Sequence, residues 1–180
     1  MERELEVKLL GLDIEKIENQ LIEKGAKLIA KEYQKNTTIN STLHPIDNAN
    51  KGYLRIRHTK DLLDDTECFY FTFKEQITNE GIRENLEHTI VFDNEDELLN
   101  ILKCMDYNIY DTGFKNRVSY IYNNVRFDID SWDKNTYPYP YIEIEVENKE
   151  DLATVLKEFN IDKSSVSTMS IADLKKSLKK

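Results

Sequence analysis

The sequence predicts a mainly β protein of the α+β class, built as an eight-stranded antiparallel barrel that is closed and flanked by helices. Eight segments alternate apolar and polar residues with the period of two that is typical of strands. Long strands joined by short turns indicate antiparallel pairing. Closure of eight such strands removes their exposed edges.

Composition limits the interpretation further. The chain has 180 residues, and 25 Lys and Arg stand against 34 Asp and Glu, giving a formal net charge of −9. This length fits one domain, residues 1–180. The acidic excess disfavours a nucleic-acid polymer as partner. With no apolar segment long enough for a membrane span and no signal-peptide pattern, we expect a cytoplasmic location without membrane contact. The isolated Cys68 and Cys104 argue against a disulfide framework.

The alternation defines the strands in chain order. The segments are Glu2–Leu10, Lys27–Ser41, Gly52–Lys60, Thr66–Glu75, Ile82–Asp93, Ile109–Tyr122, Val125–Trp132 and Tyr139–Glu147. Asn123 and Asn124 predict a tight turn between the sixth and seventh strands, because Asn tolerates positive φ.

Helices interrupt this series at four places. The predicted helices are Ile14–Lys24, Glu95–Met105, Glu150–Phe159 and Ser170–Leu178. Asp13 and Asn94 are suited to cap the first two, and Gly25 is suited to end the first.

The polar faces of seven strands carry charges in a recurring pattern. On the first strand Glu4, Glu6 and Lys8 share one face, opposite Leu5 and Val7. If helices cover the apolar faces, the charged faces line the barrel. Eight cations would then converge there: Lys8, Arg55, Arg57, Lys74, Arg83, Lys115, Arg117 and Arg126.

A charged interior of this kind requires a polyanion, a metal ion or both, because buried charges are costly unless they are paired or liganded. The alternative is that the apolar faces pack a core and the charges lie in water. For any single strand we would favour that alternative. Because the charge pattern repeats over seven strands, a hollow, charged tunnel becomes a competing interpretation.

Seven short motifs follow one another along the chain. They are Glu4-Leu5-Glu6-Val7-Lys8, Leu54-Arg55-Ile56-Arg57, Phe71-Thr72-Phe73-Lys74, Arg83-Glu84-Asn85-Leu86-Glu87, Lys115-Asn116-Arg117, Phe127-Asp128-Ile129-Asp130 and Glu143-Ile144-Glu145. In this order they resemble the CYTH superfamily, the triphosphate tunnel metalloenzymes. That superfamily includes class IV adenylate cyclases and the thiamine, inorganic and RNA triphosphatases.

The resemblance implies a tunnel that binds a small triphosphate (ATP, inorganic triphosphate or thiamine triphosphate) together with Mg²⁺ or Mn²⁺. It assigns metal binding to Glu4, Glu6, Glu143 and Glu145. It assigns triphosphate binding to Lys8, Arg55, Arg57, Lys74, Arg83, Lys115 and Arg117. Asp130 or Glu87, or a metal-bound water, would supply the catalytic base. In an up-and-down barrel the first and last strands are neighbours, so we expect the two glutamate pairs to meet.

The chain departs from the family pattern at three places. Asn85 lies where a carboxylate is frequent, and Glu84 is expected on the opposite face. The connection over residues 132–140 replaces a short Gly-containing turn. The His-Phe pair that precedes the first motif in the cyclases is absent.

Four functions remain open at this point. They are hydrolysis of a triphosphate, cyclisation of ATP to cyclic AMP and pyrophosphate, non-catalytic sensing of a triphosphate, and carriage of an apolar ligand. Asn85 would mark lost activity in the sensor, and the sorting of charges argues against the carrier. The sequence leaves a homodimer open.

Overall fold

Eight long antiparallel strands close into a barrel in the computed structural model, which describes residues 2–46 and 52–178. The strands are β1 (Glu2–Leu9), β2 (Lys27–Asn40), β3 (Gly52–Asp61), β4 (Glu67–Thr78), β5 (Arg83–Phe92), β6 (Ile109–Tyr122), β7 (Val125–Trp132) and β8 (Tyr141–Val146). A two-residue strand, β9 (Val166–Ser167), pairs with the end of β1.

Four α-helices accompany the barrel, with a 3₁₀ turn at Lys163–Ser165. The helices are α1 (Ile14–Glu23), α2 (Glu95–Cys104), α3 (Lys149–Glu158) and α4 (Ile171–Ser177). Asp13 and Asn94 accept hydrogen bonds from the backbone N–H of Lys16 and Glu97, as their cap positions predict. The eight predicted strands and four predicted helices are confirmed to within three residues at every end, whereas β9 was not predicted.

The order of strands around the barrel differs from the up-and-down order. The sequence of neighbours is β5-β4-β3-β2-β6-β7-β8-β1, and β1 closes the ring by pairing with β5. The expectation of an up-and-down barrel was therefore wrong, because β1 is not beside β2 and β5 is not beside β6. The expected pairing of the first and last long strands is confirmed, with Glu6 opposite Glu145 and Lys8 opposite Glu143.

The apolar core lies outside the barrel wall. The outward residues of β1, β7 and β8, among them Val7, Phe127 and Ile144, are buried beneath α1 and α3. A second apolar cluster lies beneath α2. The helices therefore cover outward apolar faces and leave the inward faces to polar side chains.

One end of the barrel is covered by later parts of the chain. Leu174 of α4 packs with Tyr137, Tyr141 and Trp132 at the end where β8 begins. The long connection between β7 and β8 is fixed by Asp133, which accepts hydrogen bonds from the backbone N–H of Phe114 and from the Thr136 hydroxyl.

Within residues 2–46 and 52–178, none of the helices combines the length and the apolarity needed to cross a bilayer.

Candidate functional site

Charged and amide side chains fill the inside of the barrel. Every predicted site residue lies on an inward face, and the side chains of Glu6, Lys8, Lys115 and Asp130 are almost entirely buried. The inward-charge hypothesis is therefore the one the fold adopts, since the apolar faces pack against the helices.

Lys74 holds together the carboxylates on one side of the tunnel. Its ammonium is paired with Glu4, lies 3.4 Å from a carboxylate oxygen of Glu6 and lies 3.0 Å from one of Glu87. Asn85 donates from its amide nitrogen to Glu4 at 3.3 Å and to Glu6 at 3.2 Å. The residue that departs from the family pattern thus bridges the two glutamates of the first motif as a neutral donor.

Arg83 lies at the edge of this group and links it to the C-terminal segment. Its Nε is 3.3 Å from a carboxylate oxygen of Glu6, and it donates to the Asn85 amide oxygen at 3.2 Å. An Nη1 hydrogen bond of 3.4 Å reaches the carbonyl oxygen of Thr168. Glu84 faces outward and accepts from Arg3 at 2.7 Å, as expected.

Asp130 is the centre of a second group of ion pairs. Its two carboxylate oxygens accept from Arg117 through Nε and Nη2, each at 2.7 Å, and one of them also accepts from Lys115 at 2.9 Å. Arg117 further contacts Asp128 at 2.5 Å and Glu143 at 3.1 Å. Bidentate pairing of this kind is among the stronger charge-assisted contacts.

Lys8 connects the two groups into one network. Its ammonium is 2.8 Å from a Glu143 oxygen and 3.9 Å from a Glu6 oxygen. The glutamate pairs from the two ends of the chain therefore meet through a lysine. Glu145 stands apart, with Arg126 at 4.0 Å as its nearest cation among the described residues.

Protonation differs sharply among these carboxyls. Burial, and then the neighbouring charge of Glu6, raises the pKa of Glu4 to about 7. Burial likewise raises the pKa of Glu145 to about 7, against the attraction of Arg126. Burial would also raise the pKa of Glu143, but Lys8 and Arg117 outweigh it and hold the pKa well below its usual value.

Neighbouring cations shift the pKa values of both Asp130 and Lys115. Burial opposes ionisation of Asp130, but Arg117 and Lys115 lower its pKa below the usual value. Burial, followed by the charge of Arg117, lowers the pKa of Lys115 to about 7. Asp130 is therefore held as a carboxylate whose oxygens are already engaged, which makes it a poor proton acceptor.

Arg55 and Arg57 form the exception to this pairing. Within the described ranges, neither guanidinium lies within 4.0 Å of a carboxylate oxygen. Arg57 donates to the Asn36 amide oxygen at 2.7 Å, and the buried Nε of Arg55 has no hydrogen-bond partner. Burial, and then the charges of Arg55 and Arg117, lowers the pKa of Arg57 to about 10. Arg55 and Arg57 are thus two neighbouring, half-buried guanidinium groups without a carboxylate partner among the described residues, and such groups have the chemistry to bind an anion.

Two interior residues of β2 were missed by the sequence analysis. Gln34 and Asn36 are inward and buried, on a strand where Lys31 and Lys35 point outward and Glu32 is on the same face as Gln34. The available signal was the parity of the alternation, because Tyr33 and Ile39 occupy the opposite face. The site was predicted from charged residues, and the residues at positions 34 and 36 are uncharged.

The carboxylates of the site suit a divalent cation chemically. Among the residues that the structure describes, no three acidic, His or Cys side chains are gathered in the arrangement of a metal site. The ammonium of Lys74 lies between Glu4, Glu6 and Glu87 instead. A positive charge at this place reduces the repulsion between the carboxylates of Glu4 and Glu6, which contributes to the raised pKa of Glu4. Carboxylate oxygens are also the ligands that Mg²⁺ and Mn²⁺ prefer, so the donor set fits such an ion.

Solved structures share this architecture. The PH1012 protein from Pyrococcus horikoshii OT3 superposes with a TM-score of 0.75 at 22% identity, covering 95% of this chain and 98% of its own. A Hippeastrum protein, described as a candidate adenylyl cyclase with a dominant triphosphatase activity, gives 0.68 at 15% identity and covers 98% and 96%. The triphosphatase of the Mimivirus capping enzyme gives 0.52 at 15% identity and covers 89% and 88%. At these identities the likeness concerns the fold.

No curated protein matches the chain. The model of the CYTH domain matches residues 2–170, which span all eight barrel strands and the ordered series of motifs. The chain therefore belongs to the CYTH domain family.

Proposed function

We propose that this protein binds a small triphosphate inside the barrel and hydrolyses it with the help of a divalent cation. The observation that carries the proposal is the pair of half-buried arginines, Arg55 and Arg57, which have no carboxylate partner among the described residues. A partly buried cation without a counter-ion is costly, and an anionic ligand removes that cost. The Hippeastrum and Mimivirus proteins of the same fold, both described by a triphosphatase activity, support the choice of ligand.

Binding would exchange one set of ion pairs for another. The remaining cations already hold carboxylates, with Lys8 on Glu143 and Arg117 on Asp130. Arg55 and Arg57 would take phosphate oxygens without breaking a pair. Lys115, whose pKa of about 7 leaves part of the population neutral near pH 7, would gain its proton as phosphate approaches.

The other residues of the site have separate roles in this proposal. Asp130 orients Lys115 and Arg117 toward the phosphates, since both its oxygens are bound to them. Glu87 pairs directly with one ammonium, that of Lys74. Burial would raise the pKa of Glu87, but Lys74 and Arg55 outweigh burial and lower it. Because Glu87 is nevertheless less engaged than Asp130, it is the more suitable of the two predicted bases. Glu4, Glu6 and Glu143 would hold Mg²⁺ or Mn²⁺, with Glu145 beside them. When bound, the ion neutralises charge that develops on the phosphates.

Product identification tests the proposal. The protein is incubated with ATP, inorganic triphosphate or thiamine triphosphate, each with Mg²⁺ or Mn²⁺. Orthophosphate supports hydrolysis, whereas cyclic AMP with pyrophosphate would identify a cyclase. Binding without turnover would identify a sensor in which Asn85 stands in place of a needed carboxylate. Failure of every triphosphate to raise the melting temperature would contradict the tunnel itself.

Substitution of the first motif tests the assigned metal ligands. Glu4→Gln combined with Glu6→Gln should abolish metal-dependent turnover, because it removes the hard oxygen charge that the ion needs. Glu84→Gln is the matched control, since Glu84 lies on the outward face of β5 and contacts Arg3. Turnover that survives in the double variant would show that Glu4 and Glu6 do not bind the metal.

A further inference from the structure

The wall of the tunnel contributed by β2 carries polar atoms whose hydrogen-bonding capacity is unused. β2 lies opposite β1, with three strands between them on either side of the ring. Four buried side-chain atoms have no hydrogen-bond partner among the described residues, and three of them line the tunnel: Gln34 Oε1, Asn36 Nδ2 and Arg55 Nε. Buried polar groups are nearly always satisfied, so such a cluster indicates a missing partner.

The orientation of both amides is fixed by their other atoms. The Gln34 Nε2 donates to Glu32 Oε2 at 2.6 Å, which leaves Oε1 as a free acceptor. The Asn36 Oδ1 accepts from Arg57 Nε at 2.7 Å, which leaves Nδ2 as a free donor. The exposed fractions of the two residues are 1% and 4%. The wall therefore has a defined polarity, with a donor at Asn36 and an acceptor at Gln34.

The two amides suit different parts of one ligand. The Asn36 donor is adjacent to Arg57 and close to Arg55, so it suits a phosphate oxygen. The Gln34 acceptor would repel an ionised phosphate oxygen, as would the neighbouring carboxylate of Glu32. It suits a hydroxyl or amino group instead. A ligand that satisfies both atoms is a triphosphate ester whose head group carries hydrogen-bond donors.

Resting on the proposed function, we infer that Gln34 is a specificity residue that accepts a hydrogen bond from the head group of a triphosphate ester, while Asn36 binds its phosphates. β1 and β2 run in the same direction around the antiparallel ring, so Gln34 lies nearer than Asn36 to the end where β1 begins. The opposite end is the one covered by α4 and the connection over residues 133–140.

Calorimetric titration without metal tests this inference. ATP supplies a head group with hydroxyl and amino donors, and inorganic triphosphate supplies none. Gln34→Met should weaken ATP binding about tenfold, the loss typical of one hydrogen bond with an unpaired partner. It should leave the dissociation constant of inorganic triphosphate within about twofold of the wild-type value. Asn36→Asp, which keeps the acceptor for Arg57 but replaces the donor with charge, should weaken both ligands at least tenfold.

A matched control comes from α1. Gln20 has the same side chain and a similarly unpartnered oxygen but lies outside the barrel, so Gln20→Met should change neither affinity. If Gln34→Met does not fold, Gln34→Leu replaces it, with melting curves recorded for both. An equal effect of the Gln34 variant on the two ligands, or no effect, would overturn the role of Gln34. Absence of any triphosphate binding by the wild-type protein would instead overturn the proposed function.

Discussion

Arg55 and Arg57 differ from the other cations of the tunnel in what they contact. Lys8, Lys74, Lys115 and Arg117 each lie within 3.1 Å of at least one carboxylate oxygen, whereas the two arginines of β3 contact a tyrosine and an amide. The charge of a paired cation is compensated within the protein, whereas the two arginines have no carboxylate to compensate theirs among the described residues. The interior cations therefore fall into two groups that differ in their compensation.

Asp130 should be essential to stability in a way that a surface carboxylate is not. Asp130→Asn leaves Arg117 and Lys115 short of a buried counter-ion, and we expect the free energy of unfolding to fall by about 3 kcal/mol or more. Asp65→Asn removes an exposed pair with Lys60 and should cost less than about 1 kcal/mol. Urea unfolding measures both. Equal losses would contradict the central position assigned to Asp130.

Glu145 should make the stability of the metal-free protein depend on pH. Its pKa is about 7 in the folded chain against an ordinary 4.5, so the folded state binds the extra proton between these values. The resulting stabilisation is fully present below pH 4.5 and is lost as pH rises through 7. Glu145→Gln should reduce this decline, leaving the part that Glu4, whose pKa is also about 7, contributes, and it should be more stable than the wild type at pH 8.

Denaturant unfolding at pH 5 and pH 8, with a chelator present, measures the Glu145 effect. Glu147→Gln, two residues further along and exposed, is the control and should keep the wild-type dependence. A decline that persists unchanged in Glu145→Gln would show that another group binds the proton.

At the level of elements, the connections explain why the strands were predicted and their order was not. Short turns join antiparallel neighbours, such as β6 and β7 across Asn123 and Asn124, both of which have positive φ. α1 and α2 instead join strands that run in the same direction, since β1 and β2 are parallel in sense, as are β5 and β6. Strands with the same sense cannot be antiparallel neighbours. The two helices therefore excluded an up-and-down order that the alternation alone allowed.

The predicted site shows a similar division. Alternation and charge together identified the inward cations and carboxylates, because a charged residue opposite a Phe or Ile has only one plausible face in a covered wall. Gln34 and Asn36 are uncharged, so the same reasoning gave them no weight. The side chains that contact one another could not be predicted from the sequence either, because contacts depend on strand registers such as that of Asn36 opposite Arg57. These registers are set across strands far apart in the chain.

The C-terminal helix α4 should contribute measurably to the barrel it covers. Leu174 is 4% exposed and packs with Tyr137 and Tyr141. Leu174→Ala should lower the free energy of unfolding by about 2–4 kcal/mol through lost contact and a cavity. Leu178→Ala, at a position 46% exposed, should cost less than about 1 kcal/mol. Comparable losses measured by urea unfolding would show that α4 does not pack as described.

The net charge of the whole molecule is negative, whereas one part of the barrel interior gathers positive charges. The chain carries −9 overall, yet β3 and β6, which flank β2 on either side, bring Arg55, Arg57, Lys115 and Arg117 into one part of the interior. Under the proposed function, the acidic excess would repel long polyanions, whereas a small triphosphate would bind to the interior cations. A homodimer remains a prediction that light scattering would test.

Calorimetric titration of inorganic triphosphate tests the central claim that the unpaired arginines make the barrel an anion-binding protein. The wild type should bind it, and Arg55→Gln combined with Arg57→Gln should weaken binding at least about a hundredfold, since two charged hydrogen-bonding groups are lost. Arg3→Gln, on the outward face of β1, should bind like the wild type. Undiminished binding by the double variant, or none by the wild type, would contradict the account.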